Sequence, residues 1–513
     1  MSNLYSALCP PEIAGERTFI RAPDGGALSY GDAWRQTARL AHALVRAGLQ
    51  PGDRVAVQVD KSATAVLLYL ATLRAGGVYV PLNSAYTLHE LEYFLDDAAP
   101  RIVVCTPQRR RELLPLAERF GAARLLTLGA DADSGTLLAA AATEPETFTD
   151  VARATSDPAA ILYTSGTTGR SKGAVLTHGN LLSNAQALAE IWRFVPDDVL
   201  VHALPVFHIH GLFVAINTVL AARASLVLLP RFEPAAVLAA LREATVLMGV
   251  PTYYTRLLQE PGLDRVACAH MRLFVSGSAP LLAETHRLWR ERTGHAILER
   301  YGMSETGMNA SNPYAGERVP GSVGLPLPGV ELRIADAASG APVAAGETGV
   351  IEVRGPNVFA GYWRQPEKTR AEFRDDGFFI TGDVGRIDER GYLWIVGRAK
   401  DLVISGGYNV YPREVEEAID AIAGVEESAV IGLPHPDFGE GVTAVVVAPG
   451  RGAALDEAAV QRQLRERLAG YKIPKRVLFV AALPRNAMGK VQKNELRREY
   501  AGLYAAPDAP PAR

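Results

Sequence analysis

The run YTSGTTGRSKGAVLTHGN, Tyr163 to Asn180, sets hydroxyls, glycines and one lysine in a single loop. Gly166, Gly169 and Gly173 open backbone conformations closed to other residues, so amide N–H groups can converge on an anion. Thr164, Ser165, Thr167, Thr168 and Ser171 add hydroxyl donors, and Lys172 adds a mobile cation. Such a set suits the oxygens of a polyphosphate. It is not a Walker A loop, because Lys172 comes three positions after Gly169 and is followed by Gly173 rather than Ser or Thr. Support for nucleotide binding must therefore come from elsewhere in the chain.

Outward from this loop the pattern is one of alternation. AAILYT runs into it, and RVAVQV near residue 54, SATAVLLYLATLRAG, VYVPL, RIVVC at 101 and RLLTL at 124 precede it. Short apolar runs rich in β-branched residues alternate with amphipathic stretches, which predicts βαβ units and mainly parallel sheets. ASLVLLP at 224 and RLFVSGS at 272 continue the series, and ligands bind beyond the ends of such strands. From about Gly346 the strands shorten and turns multiply (GVIEVRG, FFITGD, GYLWIVG), which suggests an antiparallel or barrel-like subdomain. Beyond Arg398 a compact α+β unit follows. PREVEEAIDAI places Val415, Ile419 and Ile422 on one helical face, ESAVIGL and VTAVVVAP read as strands, and LDEAAVQRQLRERLA is a second helix. The expected division is a large domain over 1–399 and a small one over 400–513.

Composition narrows the function. Fifty-three basic and fifty-six acidic side chains leave a net charge of -3, so no global cationic field gathers nucleic acid or anionic membrane. Small molecules are the expected partners. Cys9, Cys105 and Cys268 are odd in number and lack CxxC spacing, which argues against a disulfide framework or structural zinc and fits a cytoplasmic setting. No run of about 18 apolar residues offers a membrane span.

Four further motifs now join the loop: ERYGMSET from Glu299 to Thr306, ITGDVG at 380–385, GRAKDLVISGGYNVYPREVE from Gly397, and PRNAMGKVQK near the end. Together and in this order they resemble the adenylate-forming acyl-CoA synthetase superfamily across essentially the whole chain. The resemblance implies an α/β adenylate-forming fold whose small C-terminal domain is mobile. It also implies a two-step reaction with ATP, magnesium and coenzyme A: a carboxylate becomes an acyl-adenylate, then a thiol displaces AMP.

Residue roles follow from the same resemblance. Thr164, Ser165, Gly166, Thr167, Thr168, Gly169 and Lys172 would line the phosphates, Glu305 would help hold magnesium, and Ser304 would lie beside the α-phosphate. Ser stands at 304 where the family usually has Thr, but its hydroxyl is kept. Gly277, Ser278, Ala279 and Pro280, with Arg300 and Tyr301, would form the adenine wall, and Gly302 and Met303 would belong to the same ATP/AMP site. Asp383 would accept the ribose hydroxyls, with Arg398 near ribose and phosphate. Lys490 resembles the C-terminal catalytic lysine that bridges acyl carboxylate and phosphate, Lys400 the hinge, and Gly406, Gly407 and Tyr408 the wall of the thiol channel. A lysine acetyltransferase and deacetylase acting on Lys490 are further expected partners, because acetylation deletes its charge.

Acyl selectivity is read from FHIHG, Phe207–Gly211, and VPTYYTRLL, Val250–Leu258. These segments, with RYGMSETGMNASNPYAGERVPGSVG, most resemble malonyl-CoA synthetases. By that resemblance Arg256 would turn inward to pair with a second substrate carboxylate, and His208 and His210 would border the acyl pocket. An inward guanidinium without such a partner would be a costly buried charge. The expected activity is thus malonate:CoA ligase, with methylmalonate as a further substrate. Another short-chain acyl-CoA synthetase, or an adenylation enzyme loading a carrier protein, stays open at this point.

Overall fold

A computed structural model of the chain describes residues 3–13, 15–22, 25–129, 134–164, 171–406, 408–449, 455–486 and 489–504, with the backbone alone at Asn409. It divides into two compact units, Met1–Leu332 with Val353–Phe379, and Arg333–Glu352 with Ile380–Arg513.

The first unit carries two α/β sheets. In the seven-stranded one, Arg54–Gln58 pairs in parallel with Val78–Pro81 and Ile102–Cys105, and Val78–Pro81 pairs in parallel with β1, Pro158–Thr164. β2, Lys172–Thr177, then runs antiparallel to β1. All four residues of Val78–Pro81 and of Ile102–Cys105 are buried, as expected of parallel strands covered on both faces. Helix α1, Ala63–Arg74, is buried almost all round and starts at Ser62, whose hydroxyl accepts the Ala65 N–H.

The nine-stranded sheet brings together β3 (Val199–His202), β4 (Val246–Gly249), β5 (Leu273–Ser276) and β6 (Leu298–Met303), all parallel. β7, Gly307–Ser311, closes a hairpin back on β6. The predicted strands at 54, 78, 101, 124, 158, 224 and 272 are all present. β2, β3, β4 and the β6–β7 hairpin come in addition, because their apolar runs are too short to separate from helix by periodicity alone.

In the second unit, β8 (Phe379–Ile387) and β9 (Leu393–Arg398) form an antiparallel pair. Beyond them Glu427–His435 and Gly439–Val447 pair antiparallel, and Arg476–Val480 joins the latter in parallel. Helix Pro412–Asp420 buries Val415 and Ile419, with Ile422 just past its end, the face read from the sequence. No helix among the described residues is long and apolar enough to cross a membrane.

Candidate active site

The phosphate-loop motif closes a β-hairpin rather than opening a helix. Thr164 at the end of β1 faces Lys172 at the start of β2, so the hydroxyl and the cation flank the mouth of the loop. Three contacts pin the legs. Tyr163 donates its hydroxyl to Asp97 at 2.6 Å, Tyr93 donates to the Ser171 carbonyl at 2.5 Å, and the Trp363 N–H donates to the Gly173 carbonyl at 2.7 Å. Gly173 is fixed by space, since a Cβ there would meet Ile161 at 2.7 Å. Ser165, Gly166, Thr167, Thr168 and Gly169 lie outside the described residues.

Glu305 sits in the turn joining β6 to β7, not at a solvated helix start, and is buried. Its carbonyl accepts the Phe359 N–H at 2.8 Å and its Oε1 meets the Tyr362 hydroxyl at 3.1 Å. Ser304 beside it is half-buried. Among the described residues no three His, Cys, Asp or Glu side chains gather to cage a metal. One buried carboxylate beside a polyphosphate loop is the donor set that magnesium accepts, since it binds through one or two carboxylates and the oxygens of its nucleotide. Glu305 fits that role.

The second focus lies at the ends of β3, β4, β5 and β6. Past β5, Ser278 takes φ +72°, a strained value for a residue with a side chain. Its hydroxyl lies 3.3 Å from His210 Nδ1. His210 opens a π-helical turn, His210–Ile216, and is fully buried; burial, then the Arg300 charge, holds its imidazole well below the ordinary value, so the ring is neutral. His208, half-buried, accepts the His210 N–H on Nδ1 at 3.3 Å. Arg300 on β6 packs under Gly277, where a Cβ would fall 2.5 Å from its guanidinium carbon.

Arg300 is 4% exposed, and its Nε and Nη2 have no hydrogen-bond partner among the described residues. His210 Nε2 and Ser276 Oγ are likewise buried and unpartnered. Burial pulls the Arg300 pKa down to about 9, and no carboxylate stands among the charges acting on Arg300 or His210. Arg74, the other buried arginine among the described residues, shows what a structural guanidinium looks like. It pairs with Asp150 at 2.6 Å, donates to the Trp34 and Phe148 carbonyls, and lies between the Tyr5 and Trp34 rings. Among the described residues Arg300 has none of these compensations, and a buried charge without them is costly.

Arg300 and Tyr301 are consecutive in a strand, so their side chains take opposite faces of the sheet. Arg256 is exposed, whereas its helix neighbours Tyr254 and Leu257 are buried. Helix α2, Pro251–Leu257, buries Tyr254 and Leu257, and Tyr254 donates to the Val275 carbonyl; Arg256, two positions after Tyr254, falls on the exposed face near Tyr253. A buried guanidinium without a partner among the described residues stands at Arg300. The signal was available in the unusual placing of a charge inside the apolar run AILERYG, but only burial separates it from an ordinary strand arginine.

Gly277 is buried, Ala279 half-buried and Pro280 exposed along the segment that leaves β5; Gly302 admits no Cβ against the Gly307 backbone, and Met303 ends β6.

In the second unit, Asp383 on β8 lies opposite Arg398 on β9, and the pair closes at 2.7 Å with the carboxylate almost fully buried. Thr381 Oγ accepts the Asp383 N–H and donates to the Ile351 carbonyl. Lys490 is in electrostatic reach of both. The residue is exposed overall, while desolvation by its surroundings, then the Arg398 charge, lowers its pKa. Asn486 holds the lysine's loop by accepting the Lys490 N–H at 3.0 Å, and Arg485 clips the same loop through the Gly489 carbonyl and the Glu427 carboxylate. Lys400 lies in a short 3₁₀ turn, Ala399–Asp401, and desolvation with the nearby Arg398, Lys490 and Arg497 brings it down to about 8. Gly406 has φ +59°, Tyr408 is 59% exposed and stacks on Tyr471 at 4.8 Å, and Gly407 lies outside the described residues.

Comparison with known proteins fits this geometry. The sequence model of AMP-binding enzymes matches residues 12–363, and that of the AMP-binding enzyme C-terminal domain matches 414–490. ATP-bound MatB from Rhodopseudomonas palustris is 59% identical with a TM-score of 0.96, over 98% of this chain and 99% of that one. A feruloyl-CoA synthase from an Amycolatopsis species is 38% identical over 93% of this chain and 94% of its own length. A malonate–CoA ligase of Arabidopsis thaliana is 35% identical over 94% and 86%.

Proposed function

We propose, from the premise that the chain belongs to the AMP-binding enzyme family, that it is an ATP-dependent malonate:CoA ligase. It converts malonate, ATP and coenzyme A into malonyl-CoA, AMP and pyrophosphate through a malonyl-adenylate. The observation that carries the substrate class is Arg300, a buried guanidinium with two unpartnered nitrogens beside His210 and Ser278. Curated relatives at 35% and 38% identity include both malonate- and feruloyl-activating enzymes, and the much higher identity to MatB, 59%, favours malonate. An aromatic or long apolar tail would leave Arg300 bare, whereas the distal carboxylate of malonate satisfies it with charge-assisted hydrogen bonds. Methylmalonate, one methyl larger, is a further substrate, since such a change alters binding by only about 1–3 kcal/mol.

In the first step a malonate carboxylate oxygen attacks the α-phosphorus and pyrophosphate leaves. Thr164, Lys172 and the hydroxyls of their loop hold the phosphates, Ser304 adjoins the α-phosphate, and Asp383 with Arg398 holds the ribose. Magnesium, held by Glu305, supplies charge neutralisation on the phosphate oxygens when bound. Lys490 brings its ammonium to the point where carboxylate meets phosphate. Arg256, exposed on α2, is a second cation for the distal carboxylate. In the second step the thiol attacks the acyl carbon and AMP leaves. Lys400 is the hinge between functional domains 1–399 and 400–513, and Gly406, Gly407 and Tyr408 border the thiol's path. The exposed Lys490, next to Gly489, is also the site for an acetyltransferase and deacetylase. The buried free thiols Cys9, Cys105 and Cys268 suit a reducing cytoplasm.

A carboxylate panel tests the reading. AMP release is measured with acetate, malonate, methylmalonate, succinate and long-chain acids, with and without coenzyme A. Malonate leading, with turnover dependent on coenzyme A, is the expected result; preference for a monocarboxylate or for an acyl carrier thiol rejects it.

A further inference from the structure

Lys172, the cation of the phosphate loop, is already engaged. Its Nζ lies 3.1 Å from Glu372 Oε1 and 4.7 Å from the centre of the Tyr362 ring, with lysine and glutamate side chains 18% and 21% exposed. Glu372 follows α3, Pro366–Ala371, and takes a second cation on the same oxygen, Lys368 at 2.9 Å. Its other oxygen accepts the Tyr362 hydroxyl at 2.6 Å, the same hydroxyl that meets Glu305 at 3.1 Å.

We infer that Glu372 is an internal stand-in for the triphosphate: it holds Lys172 at the loop mouth until a polyphosphate displaces it, and so sets the affinity for ATP. This inference rests on the nucleotide-activating reading above. A carboxylate left half-buried and bare would be costly, and that cost would lock Lys172 in place. Here Lys368 and Tyr362 stay on Glu372 after Lys172 leaves, so the exchange is between two anions for one ammonium and leaves no orphan charge behind. Thr164 faces Lys172 across the mouth, so the released ammonium is already beside a hydroxyl donor. The Tyr362 hydroxyl, with one proton between two carboxylates, ties this latch to the magnesium candidate Glu305.

Calorimetric titration with the β,γ-imido analogue of ATP in magnesium, and with AMP, tests the inference on the wild type, Glu372→Gln, Lys172→Met and the double variant. Gln keeps the shape and still accepts the Tyr362 hydroxyl, so the fold is retained. Glu372→Gln is expected to bind the triphosphate about 3- to 10-fold tighter, the scale of a partly exposed ion pair, with AMP affinity unchanged because AMP lacks the outer phosphates. In the Lys172→Met background the gain should vanish, because the effect runs through that lysine. A gain of equal size in both backgrounds would mean a general charge effect and overturn the inference, as would unchanged or weaker triphosphate binding by Glu372→Gln. A wild-type chain that binds neither nucleotide overturns the parent reading as well.

Discussion

Replacing Arg300 by methionine should move stability and activity in opposite directions. The substitution keeps length and roughly the volume but removes a charge that is 4% exposed. Burial lowers its pKa from 12.5 to about 9. At 1.36 kcal/mol for each tenfold change in proton affinity, keeping the charge costs the ligand-free fold about 5 kcal/mol, as an order of magnitude. Methionine lifts that cost and loses no internal ion pair, so the ligand-free variant should be more stable by about 1–4 kcal/mol. The malonate adenylation complex loses its charge partner instead, about 3–5 kcal/mol, or roughly 150- to 5000-fold in kcat/KM. Thermal unfolding without ligand, and pyrophosphate release with malonate, acetate and propionate, read the two effects. The KM for ATP should change less than about twofold, and the monocarboxylates should gain relative to malonate. Malonate efficiency within threefold of wild type, or loss of malonate and ATP binding together, would refute the assignment.

Arg256→Ala should raise the malonate KM by about 3- to 10-fold, less than Arg300→Met does, because an exposed guanidinium gains little from a pairing that water also offers; an effect as large as at 300 would return the anchor to 256. Lys490→Ala should abolish adenylation but spare thioester formation from supplied malonyl-AMP, and enzymatic acetylation of Lys490 should copy it; normal turnover of malonate and ATP by the variant rejects the role. Because the Lys490 pKa is lowered, the active ammonium is lost as pH rises at values below those of free lysine, so wild-type adenylation should decline there and Lys490→Arg should push the decline to higher pH. Lys400→Pro should restrict the hinge and stop thioester synthesis while pyrophosphate exchange continues, and equal loss of both in a folded variant would count against it. Asp420 has a buried, unpartnered Oδ1, and burial raises its pKa from 3.8 to about 7. Its folded pKa lies above the unfolded one, so the fold loses stability as pH rises from about 4 through about 7. Asp420→Asn should therefore raise the unfolding free energy at pH 8, by up to about 4 kcal/mol, and leave it unchanged near pH 4; a gain at both values would point to another cause.

The order of motifs was legible without coordinates, because chemistry that handles phosphates leaves glycines, hydroxyls and one lysine at close spacing between Thr164 and Lys172. So was the α/β class, because strands covered on both faces, such as Val78–Pro81 and Ile102–Cys105, read as unbroken apolar runs. The helical face of Val415 and Ile419 followed from its period alone. What stayed hidden was which polar group is buried. Arg256 and Arg300 are both single arginines among apolar residues, and only the packing of α2 on Tyr254 and Leu257 sends the first to solvent while Gly277 closes over the second. The engagement of Lys172 by Glu372 joins residues 200 positions apart, and no local pattern carries it. Sequence by itself determined the kinds of atoms available and their local spacing, since these depend on neighbours along the chain. Tertiary structure decided which of those atoms were left without partners, because desolvation is a property of the whole fold around a residue and not of the residue itself.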